Sequence, residues 1–254
     1  MDLRTSFLTK NACYISGKKH TPKGIMVHST GANNKTLRRY VQPDDGLLGK
    51  NTYGNHWNQY APDKTKKCVH AFIGADKNGD VATYQTLPWD MVGWHSGKGK
   101  KGSANYLGYI GFEICEDNLA DANYFKKVYQ EAVELCAYLC KEFNLDPLKD
   151  GVIICHSEGF KRGIASNHGD VMHWFPKFGK SMDTFRKDVN VLVNGTEKSG
   201  SVPDSWARDS VLFAVENGIL CGDASGNLKL HNECTRQDMI VFLYRFYQMI
   251  KRKM

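Results

Sequence analysis

Three short apolar runs, each preceded by glycine, constrain the fold of this chain more than any other feature. They span residues 25–27, 109–115 and 152–155. Because they are almost continuously apolar rather than alternating, they predict strands of a sheet that is covered on both faces. Residues 69–73 and 81–84, joined through a turn containing Asp-Lys-Asn-Gly, predict a β-hairpin.

The best amphipathic pattern lies between the second and third of these runs. Apolar residues there recur at i, i+3 and i+4 spacing across residues 123–143, which predicts a helix with one face on a core. Strands interleaved with such a helix predict an α/β (α+β) domain, in which a central mixed sheet is flanked by helices.

A polar stretch rich in glycine and serine, residues 194–203, divides the chain and ends in a proline. Such a stretch buries no apolar area and is typical of a linker. It separates residues 1–193 from residues 204–254, which we expect to form a small helical domain. The full length of 254 residues allows one complete domain and a smaller second one.

Composition excludes several classes of protein. Charged residues make up 24% and hydrophobic residues 41% of the chain, which excludes a disordered, collagen-like or coiled-coil protein. Eight cysteines without a CxxC pair favour reduced, mostly structural thiols. The amino terminus has no apolar core of secretory-signal length, and no run approaches the roughly 20 apolar residues that span a bilayer. We therefore expect synthesis as a soluble protein in the cytoplasm.

Histidines follow two of the predicted strands at the point where each strand ends. His28 comes directly after residues 25–27, and His156 directly after residues 152–155. Side chains at neighbouring strand ends converge at one edge of a sheet, where a metal site can be built. Asp170 and His173 are both candidates for a third ligand of Zn²⁺. From spacing alone, a structural role for each histidine stays equally open.

Glu113 interrupts an otherwise apolar strand pattern, Ile-Gly-Phe-Glu-Ile-Cys. A carboxylate in such a run costs free energy unless it is paired or faces a site. Two interpretations remain at this point. Glu113 is either a residue of an edge strand that faces water, or a general base beside a metal-bound water.

These segments together resemble the type 2, peptidoglycan-recognition-protein-like family of zinc N-acetylmuramoyl-L-alanine amidases. Within it, the chain is similar to phage endolysins and autolysins of Gram-positive bacteria, the clostridia among them. The resemblance extends from about residue 24 to residue 185. It rests on six segments in the same order as in the family: residues 25–32, 69–72, 93–97, 110–116, 155–156 and 167–175.

The resemblance implies a role for individual residues. His28 and His156 match the two histidine ligands of zinc, and Asp170 matches the third ligand, with His173 as its rival. Glu113 matches the catalytic glutamate of many relatives. His168 occupies the position where relatives often carry a lysine that stabilises the oxyanion, so we expect His168 to take that role.

The resemblance also implies a substrate and a reaction. The expected reaction is hydrolysis of the amide bond between N-acetylmuramic acid and L-alanine in bacterial peptidoglycan, by a zinc-activated water. The alternative is a protein of the same fold that binds peptidoglycan without cleaving it. The residues expected to contact substrate are His70, His95 and Trp94, and Tyr53 and Trp57 are further aromatic candidates for stacking.

The last 50 residues predict a helix–loop–helix unit. Residues 205–220 predict an amphipathic helix that ends at glycine, and Thr235 and Asp238 are spaced as in a capping box that starts a second helix over residues 239–249. The layout resembles a single S-layer-homology repeat, which implies binding to wall polymers. A pure dimerisation module is the alternative. A unit this small is marginal alone, so we expect self-association through it or docking onto the amidase domain.

The net charge of +7 lies mostly in the part of the chain before residue 204. With the resemblance, it favours the anionic Gram-positive wall as partner rather than nucleic acid or a membrane. Without a signal sequence, the expected route to the wall is release from the host cytoplasm through a holin.

Overall fold

The computed structural model describes residues 1–194, 203–224 and 226–253. The chain divides into two compact units, Met1–Val193 and Asn194–Met254. Most of the predicted linker, residues 195–202, lies outside the described residues. No helix in the described part of the chain is long and apolar enough to cross a membrane.

The first unit contains a mixed six-stranded sheet in the order β1-β4-β3-β5-β2-β6. β4 is antiparallel to β3, and the other neighbouring pairs are parallel. The strands are β1 (Leu3–Thr5), β2 (Gly24–Ser29), β3 (Ala71–Ala75), β4 (Val81–Gln85), β5 (Tyr109–Ile114) and β6 (Ile153–Cys155). The predicted central mixed sheet and its hairpin are confirmed. β1 was not predicted, because three residues at a sheet edge carry no recognisable pattern.

The α-helices of the first unit flank this sheet. They are α1 (Ala12–Ser16), α2 (Ala122–Glu142), α3 (His156–Arg162) and α4 (Met182–Asn194). α2 coincides within one residue with the predicted helix. The side chain of Asp121 begins it by accepting hydrogen bonds from the main-chain N–H groups of Asn123 and Tyr124, both at 3.0 Å.

Side chains along the central strands point alternately to the two faces of the sheet. One face packs against the core, and the other carries the residues of the candidate site. On β5, Ile110, Phe112 and Ile114 pack in the same buried cluster as the apolar face of α2. The residues between them, including Glu113, project from the opposite face. The apolar run thus predicted a strand correctly. The structure adds that one of its faces packs against helices and the other carries polar groups.

The second unit consists of α5 (Arg208–Glu216), preceded by a short 3₁₀ turn, and α6 (Arg236–Lys253). The predicted capping box is confirmed, since Thr235 Oγ1 accepts from the Asp238 N–H at 3.1 Å and the Asp238 carboxylate accepts from the Thr235 N–H at 3.0 Å. α6 is longer at both ends than residues 239–249. None of the side chains described in this unit is fully buried.

The contribution of the Asp121 cap to the stability of α2 can be tested by substitution. Replacing Asp121 by alanine removes the acceptor for two main-chain N–H groups, so we expect the free energy of unfolding to fall by about 1 kcal/mol. Urea denaturation of the full chain measures this loss. Asp121→Asn is the matched control and retains the wild-type value to within a few tenths of a kcal/mol, because asparagine caps as well. An equal loss in both variants would contradict the capping role.

Candidate metal centre

The candidate site lies where the carboxyl ends of three parallel strands meet. β2 lies between β5 and β6. His28 on β2 is paired in register with Glu113 on β5, so both side chains project from the same face of the sheet. His156 follows directly after β6 and is the first residue of α3. The prediction that the strand-end histidines converge is confirmed.

Two imidazoles and one carboxylate meet at this edge, and we call them the His-His-Asp cluster. Nδ1 of His28 lies 3.0 Å from Oδ2 of Asp170 and 3.1 Å from Nδ1 of His156. Nδ1 of His156 lies 3.6 Å from the same Asp170 oxygen. Both histidines are buried, and the Asp170 side chain is 12% exposed. The cluster is therefore almost closed to water except on the side of Asp170.

The chemistry of this donor set fits Zn²⁺. Each of the three residues offers one ligand atom, and these atoms all lie within 4.8 Å of one another. Two imidazole nitrogens and a carboxylate oxygen, with a fourth position for water, are a ligand set found in catalytic zinc sites. A buried carboxylate facing two imidazole nitrogens is stabilised by a divalent cation between them.

The rival third ligand, His173, lies outside the cluster. Its Nε2 is 2.9 Å from Oε1 of Glu116, a buried carboxylate that also accepts the main-chain N–H of Gly31 at 3.0 Å. The structure thus brings Asp170, and not His173, to the two histidines.

A cleft of about 750 Å³ opens beside the cluster, and Glu113 lines it. The Oε2 atom of Glu113 is buried and has no hydrogen-bond partner among the described residues. Burial raises the pKa of Glu113 well above its ordinary value, and the negative charges of Asp170 and Glu116 raise it further. Glu113 therefore faces the cleft rather than bulk water, which agrees with the second of its two interpretations.

His168, Trp94 and Trp57 are among the other predicted site residues that line the cleft. His168 is exposed, and its ring centre lies 4.7 Å from that of His156. Trp94 and Trp57 form another part of the wall, and the Nε1 atom of each is buried without a hydrogen-bond partner in the described part of the chain. These side chains surround an opening directly beside the cluster.

The placement of His70 does not fit the expected contact with substrate. His70 is 0% exposed and is not part of the cleft wall. Its Nδ1 accepts the main-chain N–H of Gly111 at 3.0 Å, and its Nε2 donates to the carbonyl of Met91 at 2.7 Å. The expectation is corrected because both ring nitrogens are already used within the fold. Tyr53 is 87% exposed but lies outside the cleft.

His95 reaches the cleft, but both of its ring nitrogens have protein partners. Its Nδ1 lies 2.9 Å from Nε2 of His28, and its Nε2 lies 3.3 Å from the main-chain oxygen of Tyr109. Burial lowers the pKa of His95 well below its ordinary value and lowers the pKa of His28 as well. Both rings are therefore neutral near pH 7. The geometry makes His95 a neighbour of a ligand rather than a substrate contact.

Sequence reasoning missed two residues that contact predicted site residues, Glu116 beside His173 and Ser166 beside His156. Glu116 follows the apolar run 109–115 directly, a position that a search for strand-end acids would have found. Ser166, whose Oγ lies 3.3 Å from Nε2 of His156, carries no local signal, because serine is common in loops.

Fold and cluster together define an α/β protein with a candidate catalytic metal centre at the carboxyl edge of its sheet. The chain belongs to the Amidase_2 family of N-acetylmuramoyl-L-alanine amidases, whose family model matches residues 18–172. The matched region includes the whole His-His-Asp cluster and Glu113. This result confirms the resemblance to type 2 amidases.

Individual relatives agree with this assignment. Over 159 residues the chain is 33% identical to the N-acetylmuramoyl-L-alanine amidase CwlH of Bacillus subtilis (strain 168), a match that covers 54% of this chain and 61% of CwlH. The chain thus spans about three fifths of the length of this curated relative. The solution structure of the PlyG catalytic domain aligns with a TM-score of 0.50 and 17% identity, over 80% of this chain and all of that domain. A mutant form of PlyL aligns with a TM-score of 0.50 and 16% identity, over 75% of this chain and 99% of that one. These two similarities concern the fold.

The identity of the third ligand can be tested by zinc content. We expect Asp170→Ala to lose bound zinc on dialysis, because only two nitrogen ligands remain, whereas His173→Ala keeps about one zinc per chain. Atomic absorption of the purified full-length variants measures this. His173→Ala is the matched control, since it removes a nearby side chain outside the cluster. Loss of zinc from His173→Ala with retention in Asp170→Ala would reverse the assignment.

Proposed function

We propose that this protein is a zinc-dependent peptidoglycan amidase, which hydrolyses the bond between N-acetylmuramic acid and the L-alanine of the stem peptide. The observation that supports this best is the shared cleft of the His-His-Asp cluster and the unpaired carboxylate of Glu113. Membership of the amidase family supports the choice of substrate.

His28, His156 and Asp170 would hold the metal ion. When bound there, Zn²⁺ supplies Lewis-acid chemistry, which polarises a carbonyl and lowers the pKa of water to about 7. The protein holds the two histidines rigidly, on β2 and at the start of α3, so the donor atoms need little rearrangement.

Glu113 would move the proton in this reaction. It would accept a proton from the attacking water and later deliver it to the leaving amine of L-alanine. Burial raises the pKa of Glu113, and the charge of a bound cation would oppose that rise and favour the carboxylate form, which is the form that accepts a proton. Its buried Oε2 is available because no described group donates to it.

His168 and the two tryptophans would bind the reacting substrate. His168 is exposed on the cleft wall and would donate a ring N–H to the oxyanion that develops at the lactyl carbonyl. Trp94 and Trp57 would present apolar surface to the glycan or the peptide.

The alternative is a protein that binds peptidoglycan without cleaving it. Such a function requires no metal ligands and no general base. Retention of the complete cluster together with Glu113 in one cleft favours the enzyme over the binding protein.

Glu113→Gln separates catalysis from metal binding. The amide has nearly the same size but does not accept a proton, so we expect cleavage to fall by about 10²–10⁴-fold. The assay follows the release of free L-alanine amino groups from purified peptidoglycan. Zinc content is the control and stays at the wild-type level, because Glu113 is not a ligand in this proposal. Near-wild-type cleavage by this variant would reject Glu113 as the base.

We further propose that the protein acts at the cell wall of Gram-positive bacteria, as an endolysin or autolysin does. The positive net charge of the chain supports attraction to anionic wall polymers. The resemblance of the second unit to a single S-layer-homology repeat supports anchoring at the wall. Release through a holin and a clostridial origin stay predictions from the sequence.

The second unit also has a surface suited to self-association. On α6, the side chains of Ile240, Leu243, Tyr244, Tyr247 and Ile250 lie on one face of the helix, and each is 40% to 65% exposed. We call this face the apolar stripe. Charged residues normally occupy the solvent face of a helix, so an apolar stripe indicates a partner.

A second copy of the chain is the partner that fits this surface. Twelve large apolar side chains of this unit, five of them in the stripe, are more than a third exposed, which is on the order of 1,000 Å² of apolar surface over the whole unit when each contributes about half its area. A stable interface needs roughly 800 Å² on each partner. In a symmetric dimer each copy supplies the same apolar surface, so both stripes are buried together.

The oligomeric state of the full chain tests this surface. We expect wild type to be a dimer or larger, and Leu243→Glu combined with Tyr247→Glu to be a monomer, because two charges on the stripe oppose its burial. Light scattering after size exclusion measures the mass. Arg252→Glu, which places the same acid outside the stripe, is the matched control and stays associated. A monomeric wild type would favour docking of the tail onto the amidase domain instead.

A further inference from the structure

The hydrogen bonds behind the His-His-Asp cluster assign a function to the loop that contains His95 and Ser96. We propose that this loop selects the tautomer of both histidine ligands, so that each presents its Nδ1 lone pair to the metal. The inference rests on the metal site of the proposed function and names positioning residues for it. The two histidines are supported by separate chains of hydrogen bonds, and each chain ends on a main-chain carbonyl.

The first chain runs from the carbonyl of Tyr109 to His28. A carbonyl oxygen only accepts hydrogen bonds, so Nε2 of His95, 3.3 Å away, carries the ring proton. In a neutral ring the other nitrogen, Nδ1, is then an acceptor. It lies 2.9 Å from Nε2 of His28, which must therefore donate. The remaining nitrogen of His28, Nδ1, is left with a free lone pair and is the atom that faces Asp170.

The second chain runs from the carbonyl of Ser96 to His156. The hydroxyl of Ser166 lies 3.2 Å from this carbonyl and donates to it. Its oxygen lies 3.3 Å from Nε2 of His156 and accepts the proton of that nitrogen. Nδ1 of His156 is thereby left with a lone pair that points at the cluster. Both chains thus produce the same tautomer by different side chains.

One side chain holds the main chain of this loop in place. Oδ1 of Asn105, which is buried, accepts the main-chain N–H groups of His95 at 3.0 Å and of Ser96 at 2.9 Å. One amide therefore holds His95, a member of the first chain, and Ser96, whose carbonyl ends the second. A loop held this way keeps its side chain and its carbonyl in place relative to the sheet.

Two glycines make room for these contacts. A Cβ on Gly111 of β5 would lie 2.5 Å from the ring of His95, and a Cβ on Gly97 would lie 2.6 Å from Oγ of Ser166. Gly97 also has a φ of +65°, which other residues rarely adopt. The strand and the loop are thus free of side chains at the points where the supporting residues fit.

These tautomers explain why the cluster suits a cation. With both Nδ1 atoms deprotonated, two lone pairs and a carboxylate oxygen face one another within 4.8 Å. Such an arrangement is repulsive by itself and attractive around a positive ion. Support of a ligand histidine through its other nitrogen also fixes the ring orientation, and loss of such support typically costs about 10- to 100-fold in metal affinity.

Asparagine and glutamine at position 95 distinguish this role from simple packing. The amide of asparagine lies close to the position of Nδ1, so its oxygen still accepts the proton of His28 in His95→Asn. The amide of glutamine reaches the position of Nε2, so His95→Gln keeps the contact to Tyr109 but leaves His28 without its acceptor. We expect the Kd for Zn²⁺ to rise about 10- to 100-fold in His95→Gln and only a few-fold in His95→Asn.

The measurement is a competition titration of the metal-free full chain with Zn²⁺ and a chromophoric chelator. Thermal denaturation of the metal-free variants is recorded in parallel, and we expect equal midpoints for the asparagine and glutamine variants. Ser166→Ala is an independent variant that removes the acceptor for His156, and it should weaken zinc binding about 10-fold. His20→Gln, a substitution of another partly buried histidine that is not a member of the cluster, is the control and leaves the Kd unchanged.

Three results would overturn the inference in distinguishable ways. Wild-type affinity in both His95→Gln and Ser166→Ala would show that the chains do not select tautomers. Equal loss in His95→Asn and His95→Gln would assign the effect to ring packing rather than to the acceptor at Nδ1. Failure of the wild-type chain to bind Zn²⁺ at all would reject the metal site of the proposed function, and the inference with it.

Discussion

The parallel pairing of β2 with both of its neighbours is the constraint on which the rest of the site depends. It brings the carboxyl ends of β2, β5 and β6 to one edge of the sheet. His28 and Glu113 are in register across one pair, and His156 emerges from the other. A shift of β5 by one residue would turn Glu113 into the core that packs against α2. The apolar residues that alternate with these groups therefore set the geometry of the cleft.

Burial of the cluster costs hydration free energy, and hydrogen bonds from the surrounding structure offset part of this cost. Imidazoles and a carboxylate removed from water lose hydration, and each donor or acceptor then needs a partner. Main-chain carbonyls of Tyr109 and Ser96 provide the last acceptors behind the two histidines. The side of the cluster that faces Asp170 and the cleft stays open to the metal ion and the substrate of the proposed function. The site is thus closed on the protein side and open only where chemistry is expected.

The two units of the chain differ in how completely they bury their apolar side chains. The first has a continuous core between the sheet and its helices, in which residues such as Phe112 and Phe185 are fully buried. Among the described residues of the second, no apolar side chain is completely buried, and its longest helix carries an exposed apolar stripe. In the proposed dimer, a second copy of this surface would remove the stripe from water, and the unit would gain stability by association.

Much of the fold was predictable because its signals are local. Glycine-bounded apolar runs predicted three strands of the sheet, and i, i+3, i+4 spacing predicted α2 to within one residue at each end. His28 and His156 were also predicted as a pair from their strand-end positions, and the family resemblance added Asp170, with His173 as its rival. β1 was missed, since its three residues acquire strand geometry only by pairing with β4 at the edge of the sheet.

The sequence by itself predicted most of the side chains of the candidate site and the strands that position them. The choice between Asp170 and His173, the removal of His70 from the cleft, and the support of His28 by His95 were decided only by the tertiary structure. The physical reason is the same in each case. These outcomes depend on hydrogen bonds between residues that are far apart in the chain, such as the 67 positions between His28 and His95. Periodicity and spacing predict the structure of each segment separately. They do not predict the distances between side chains of different segments in the folded protein.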